Sequence, residues 1–131
     1  MQGLSSRDRA RAEQHRLESA EAKLQRVERE LKRKVLSSLE SIAALRAREP
    51  LAKERVVQLR SLEGVYAQQF QAGRRSFNDL LTLNLERSGA ERQLLDVRDR
   101  LLRTPLEMAA QLGLLLPWLE GRLDARGVGR D

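Results

Sequence analysis

His15 is the sole histidine of the chain, and it sits between Gln14 and Arg16 on a polar stretch. A metal site or a nucleophilic triad needs partners that converge on such a ring. None is encoded around it, so His15 reads as a surface residue. Carboxylates are plentiful, but they are mixed with basic residues along the helices, as where Glu28-Arg29-Glu30 is followed by Lys32-Arg33-Lys34. That alternation makes them partners along a helix face, not an acid–base pair. There is no cysteine, hence no thiolate chemistry and no disulfide framework. The glycines are isolated and form no phosphate cradle. Ionic pairing and capping are the chemistry these residues support. No catalytic residue, cofactor or metal is expected, and the chain does not read as an enzyme.

The polar residues of most interest cluster in Phe70-Gln71-Ala72-Gly73-Arg74-Arg75-Ser76-Phe77-Asn78-Asp79-Leu80-Leu81. Gly73 can take the left-handed conformation that closes a helix. Ser76 can cap the next helix, and Asp79, three residues on, can complete a capping box. Arg74 and Arg75 fall within the turn. Long helical patterns flank this stretch, so the two helices must lie antiparallel.

Upstream, Leu17, Ala20, Leu24, Val27 and Leu31 follow the three–four spacing of a coiled-coil seam. The stripe continues through Val35 or Leu36, then Leu39, Ile42 and Leu45, with a slip in register. It resumes at Leu51, Val56, Leu59, Leu62, Val65, Tyr66 and Phe70. Pro50 predicts a kink or short break. Gly64 weakens the helix by about 1 kcal/mol relative to Ala. Downstream, Leu80, Leu81, Leu83, Leu85, Ala90, Leu94, Val97, Leu101 and Leu102 supply apolar positions. Pro105 predicts a second kink, before Leu106, Met108, Ala109 and Leu112. Gly113 is the natural stop, Leu114 to Leu116 admit a short strand, and Gly121, Gly127 and Gly129 suggest a frayed tail.

The expected fold is all-α: a long antiparallel, coiled-coil-like helical hairpin with no barrel strands within this chain. Residues 1–113 would form the hairpin (helix about 6–72, turn 73–76, helix about 77–112), and 114–131 a flexible C-terminal tail. Phe70, Phe77 and Tyr66 would pack within it.

Composition agrees with that expectation. The chain has 131 residues, 40% hydrophobic but only 3% aromatic, and 34% charged. Long amphipathic helices fit this balance better than a compact α/β core. The net charge is +6, with signs mixed along the chain, so no nucleic-acid-binding arm is expected. Arg7, Asp8, Arg9 and Arg11 fall where a signal peptide would turn apolar. The longest apolar run, from Leu112 to Leu119, is far short of the roughly 20 residues a spanning helix needs.

The stretch Tyr66-Ala67-Gln68-Gln69-Phe70-Gln71-Ala72-Gly73-Arg74-Arg75-Ser76-Phe77-Asn78-Asp79-Leu80-Leu81 resembles the signature of TolC-like outer-membrane factors. That signature places an aromatic residue three before a Gly, then a basic residue, Ser or Thr, and Asp-x-Leu. Leu94 to Gly113 resembles the Leu-rich helix, ending in Leu-Gly, that follows it. The resemblance covers roughly residues 3 to 116. The Tyr66…Gln69-Phe70 spelling, with Pro50 upstream, is most similar to members serving type I secretion of large adhesins and toxins.

The resemblance implies a homotrimer in the cell outer membrane and periplasm. Its strands build a shared barrel, and its long helices build a periplasmic tunnel. A periplasmic adaptor and an inner-membrane transporter dock where helical hairpins close the tunnel. This chain would supply the C-terminal tunnel segment as a truncated fragment, a passive conduit for efflux or type I secretion. Arg75 matches the basic residue that ties neighbouring hairpins shut. Asp79 matches a carboxylate lining the constriction, where three copies would form an anionic ring. Thr82 stands where some members place a second carboxylate, Phe70 lacks a tyrosine hydroxyl, and Pro105 interrupts a helix that is usually smooth. The alternative reading is a soluble coiled-coil scaffold or adaptor with the same hairpin grammar.

Overall fold

The computed structural model describes residues 2–125. Two helices account for almost all of them: α1, Gln2–Gln71, and α2, Phe77–Ala125. The chain divides into two units, Met1–Ser37 and Ser38–Asp131. In the first, Ala20, Leu24, Leu31 and Val35 are half-buried, whereas Leu17 and Val27 are exposed.

The second unit is the antiparallel hairpin. Its α1 seam runs Ile42, Leu45, Glu49, Ala52, Val56, Leu59, Glu63 and Tyr66, in unbroken three–four spacing. The facing α2 seam runs Leu80, Leu83, Arg87, Ala90, Leu94, Val97, Leu101, Thr104 and Met108. All of these positions are buried or half-buried. Val56, Leu59, Leu83 and Ala90 form one buried cluster, with Tyr66 and Leu94 packed against it. Three–four spacing on both helices is the grammar of knobs-into-holes packing. Neither helix could hide its stripe alone.

Polar residues within and beside the seam fix which levels of the two helices meet. Glu49 accepts a hydrogen bond from Arg98 Nε at 2.9 Å. Arg60 Nη2 donates to Glu91 Oε1 at 2.9 Å. Arg87 Nε lies 2.9 Å from Glu63 Oε2, an ion pair off the N–H direction, and Arg87 Nη1 donates to Glu91 at 2.9 Å. As the α1 partner moves from 49 to 60 to 63, the α2 partner moves from 98 to 91 to 87. Each exposed pair contributes under about 1 kcal/mol. Their larger effect is on register, because a one-turn slip would strand Glu63 and Arg87 against apolar neighbours.

Glu91 is the carboxylate most affected. The hydrogen bond from Arg60 holds its pKa below the ordinary value. Partial desolvation opposes that shift, and Arg87 adds to it. A depressed folded-state pKa stabilises the fold above the unfolded value, and that contribution is lost as pH falls through the folded value. The thermal midpoint of the wild-type chain should therefore fall on acidification through roughly pH 4 and below. Glu91→Gln should flatten that limb of the profile. An unchanged acid limb in Glu91→Gln would show that these pairs do not carry it.

Several expectations need correction. Pro50 does not break α1, which runs on through it, and Pro105 lies inside α2, where a kink and not a break is expected. Pro50 is exposed, where water can take the freed carbonyl, and the helix buries Ile42, Leu45, Val56 and Leu59 on either side of it. Gly113 does not end α2, and Leu114 to Leu116 are helical, not extended. Gly113 keeps a negative φ, and Leu115 is half-buried about two turns beyond Met108, the last seam position. The helix also begins at Gln2 and not near Ser6. Residues 114–125, assigned to the tail, are therefore helical, while Gly127 and Gly129 lie outside the described residues. The stripe is narrower than expected too: Leu36, Leu39, Leu51, Leu85, Leu102 and Leu106 are exposed. Phe70 and Phe77 are exposed as well, and of the three rings at the tip only Tyr66 packs on the core.

Candidate functional site

Reversal of the chain takes five residues, 72–76. Gly73 has φ 74°, the only positive φ among the described residues. Its N–H donates to the Phe70 carbonyl at 2.9 Å, and the Arg74 N–H donates to the Gln69 carbonyl at 2.8 Å. These two bonds are the Schellman pair, which satisfies carbonyls that the last turn of α1 would leave bare. The expected cap of α2 is present in both directions. The Asp79 N–H donates to Ser76 Oγ at 3.2 Å, and the Ser76 N–H donates to Asp79 Oδ2 at 3.2 Å. Asp79 also places negative charge at the helix N-terminus, where the backbone dipole favours it.

Arg75 is held by its own hairpin. Its Nε donates to Gln69 Oε1 at 2.7 Å. Its guanidinium carbon lies over the Tyr66 ring, 3.6 Å from the centroid. A cation over an aromatic face gains about 0.5–1 kcal/mol. A guanidinium carries five N–H donors, so the bond to Gln69 leaves its Nη groups able to reach another acceptor. Beside it, Leu62, Tyr66, Arg75, Asp79, Thr82, Leu83 and Glu86 line an open hollow of about 170 Å³. The structure thus brings Arg75 and Asp79 to one side of the tip. Arg74 is exposed on the turn, and Gly73 and Ser76 serve its geometry.

No role in holding Arg75 was assigned to Gln69 from the sequence, and Glu86 was not singled out. The signal for the first was spacing: Tyr66 and Gln69 lie one turn apart just before the Gly, so both can reach back to a residue beyond it. Asp79 and Glu86 are seven residues apart on one face of α2, so the second was also readable. Away from the tip, His15 is exposed, with Nδ1 3.8 Å from Glu18 Oε2. Among the described residues no group of three or more His, Asp or Glu side chains is placed to hold a metal ion. No helix among them is long and apolar enough to cross a membrane.

Fold and tip together define the class: an all-α, antiparallel coiled-coil hairpin with a doubly capped, Arg- and Asp-bearing turn. The chain matches no protein-family profile, no curated protein and no solved structure.

Proposed function

We infer that this hairpin is the C-terminal tunnel segment of a TolC-like outer-membrane export channel, with its tip as the gate. In this reading three protomers place their tips around a shared axis at the periplasmic end of a water-filled conduit. A periplasmic adaptor and an inner-membrane transporter dock there, and the chain itself converts no energy. The observation that carries the reading is the tip. Arg75 is fixed by Gln69 and Tyr66 with donors to spare, one turn from the exposed carboxylate of Asp79. A pre-oriented cation beside a carboxylate can bridge to the same pair on a neighbouring tip.

Removing that bridge should loosen the closed state. Arg75→Ala in the assembled protein should raise closed-state conductance in planar bilayers several-fold and sensitise cells to bulky antibiotics. Leak currents and sensitivity identical to wild type would contradict a gating role. A soluble, folded dimer that forms no channel would instead favour a scaffold or adaptor.

A further inference from the structure

The first unit, Met1–Ser37, carries an apolar stripe that is not the hairpin seam carried on. Stepped back in sevens, the row of Leu45 meets Ser38, Leu31, Leu24 and Leu17, but the row of Ile42 meets Val35, Glu28 and Glu21. Beyond Val35, glutamates therefore stand where the hairpin seam would need apolar residues. Val27 and Ala20 complete the stripe on the other side of the leucines. Leu17, Leu24 and Leu31 form one core row, Ala20 and Val27 the second, in the alternation of a coiled coil. Leu17 is 64% exposed and Val27 36%.

Opposite charges flank this stripe. Arg16 and Lys23 stand on one edge, Glu21 and Glu28 on the other. A helix surface settles such charges with partners three or four residues along. Glu21 has no basic residue at those spacings, and Lys23 has no acidic one. All four side chains are exposed, and among the described residues none of them makes an ion pair or a side-chain hydrogen bond. Glu30, the next residue on the edge of Arg16 and Lys23, is different: Lys34 of the same helix lies 3.7 Å from it.

Charge on the two edges selects both the occupant and its direction. In a parallel coiled coil, each residue of one edge faces the residue five further on along the opposite edge of the other helix. Two copies of this segment then set Arg16 against Glu21 and Lys23 against Glu28, once on each side of the pair. Glu30 would face Val35, and it is the edge charge that already has a partner of its own. Antiparallel pairing sets each edge against itself, basic on basic and acidic on acidic. We propose that the first unit docks a second copy of itself, α1 beside α1, in the same direction and in register. Leu17, Ala20, Leu24, Val27 and Leu31 close the contact, and Glu13 and Lys34 bound the apolar run at its two ends.

Such a contact is isologous, because the same face meets itself, and it closes on two copies. It uses neither the turn nor α2, so it does not rest on the export reading.

The chain has no cysteine, which makes the test direct. In the 131-residue chain, Ala20→Cys and Lys34→Cys each place one thiol on the same core row, about 21 Å apart along the helix. In a parallel, in-register pair each thiol faces its own copy, within the Cα separation of roughly 7 Å that a disulfide tolerates. Mild oxidation should link most of either variant into a covalent dimer on a denaturing gel. Ala22→Cys, on the outer face, should link at least several-fold less. Antiparallel helices bring like residues together at one level only, so a dimer from just one of the first two variants, or equal dimer from all three, would overturn the proposal. Charge exchange gives the second reading. With Ala20→Cys in place, Glu21→Lys with Glu28→Lys sets like charges at each facing, and so does Arg16→Glu with Lys23→Glu. Each of these chains alone should lose dimer at least several-fold while keeping its helical circular dichroism. Mixed, they should recover it as the heterodimer, identified by mass, because each facing pair is then opposite in charge. Undiminished dimer in the separate chains, or no gain on mixing, would overturn the proposal whatever the conductance experiments show.

Discussion

Leu59→Ala is expected to lower the thermal midpoint of the hairpin by roughly 10–20 °C. Leu59 is 6% exposed and lies in the cluster with Val56, Leu83 and Ala90. Truncating a buried leucine costs the lost transfer energy plus a cavity, about 2–5 kcal/mol in total. A two-helix seam can close partly over a gap, which favours the lower half of that range, about 2–3 kcal/mol. For a unit of this size each kcal/mol moves the midpoint by roughly 4–8 °C. No larger side chain stands in reserve, because Ala90 belongs to the same cluster. Leu114→Ala is the matched control: Leu114 is 80% exposed, and its truncation should cost under about 0.5 kcal/mol. Thermal melts followed by circular dichroism separate the two. Equal midpoints for both variants would mean that the seam does not hold the helices together.

The turn was legible because its chemistry is local. A Gly that must take positive φ, followed by Ser and then Asp three residues later, specifies a stop and a start within a few residues. Both caps stand where those residues put them. The two helices were legible from three–four spacing, which needs only sequence. Which leucines face the partner was not. Leu80 and Leu81, or Leu101 and Leu102, are equally apolar neighbours. Only the register of the opposite helix decides that the first of each pair is covered and the second exposed. The charged seam positions Glu49, Glu63 and Arg87 were invisible for the same reason, since each is tolerated only because the other helix supplies its counter-charge. Two helix breakers were over-read. Pro50 and Gly113 impose a cost at one residue, and packing over many residues outweighs it. At the tip, the clamp on Arg75 depends on a bend that brings residue 75 back over residues 66 and 69, a relation that spacing alone hints at but does not fix.

The second large effect concerns Asp79. Its carboxylate has one job in the fold and, in the proposed channel, a second, and substitution can separate them. As the capping-box acceptor it takes the Ser76 N–H, a role an asparagine side-chain oxygen can keep. As a negative charge on the rim of the tip, it would combine with its copies into an anionic ring when tips meet. Asp79→Asn should therefore leave helicity and melting nearly unchanged. Asp79→Ala should lose the cap as well, at a cost of about 1 kcal/mol. Both should weaken cation binding at the constriction alike. Opposed carboxylates hold a divalent cation far better than neutral amides do, so the concentration needed for half-block should rise at least about tenfold, equivalent to about 1.4 kcal/mol. The direct measurement is block of single-channel current by a divalent cation added at the hairpin side of the assembled protein in planar bilayers. The gate account predicts block in the wild type and its loss in Asp79→Asn, with the cap and the fold intact. Unchanged block in Asp79→Asn, or no channel at all from the assembled protein, would contradict it.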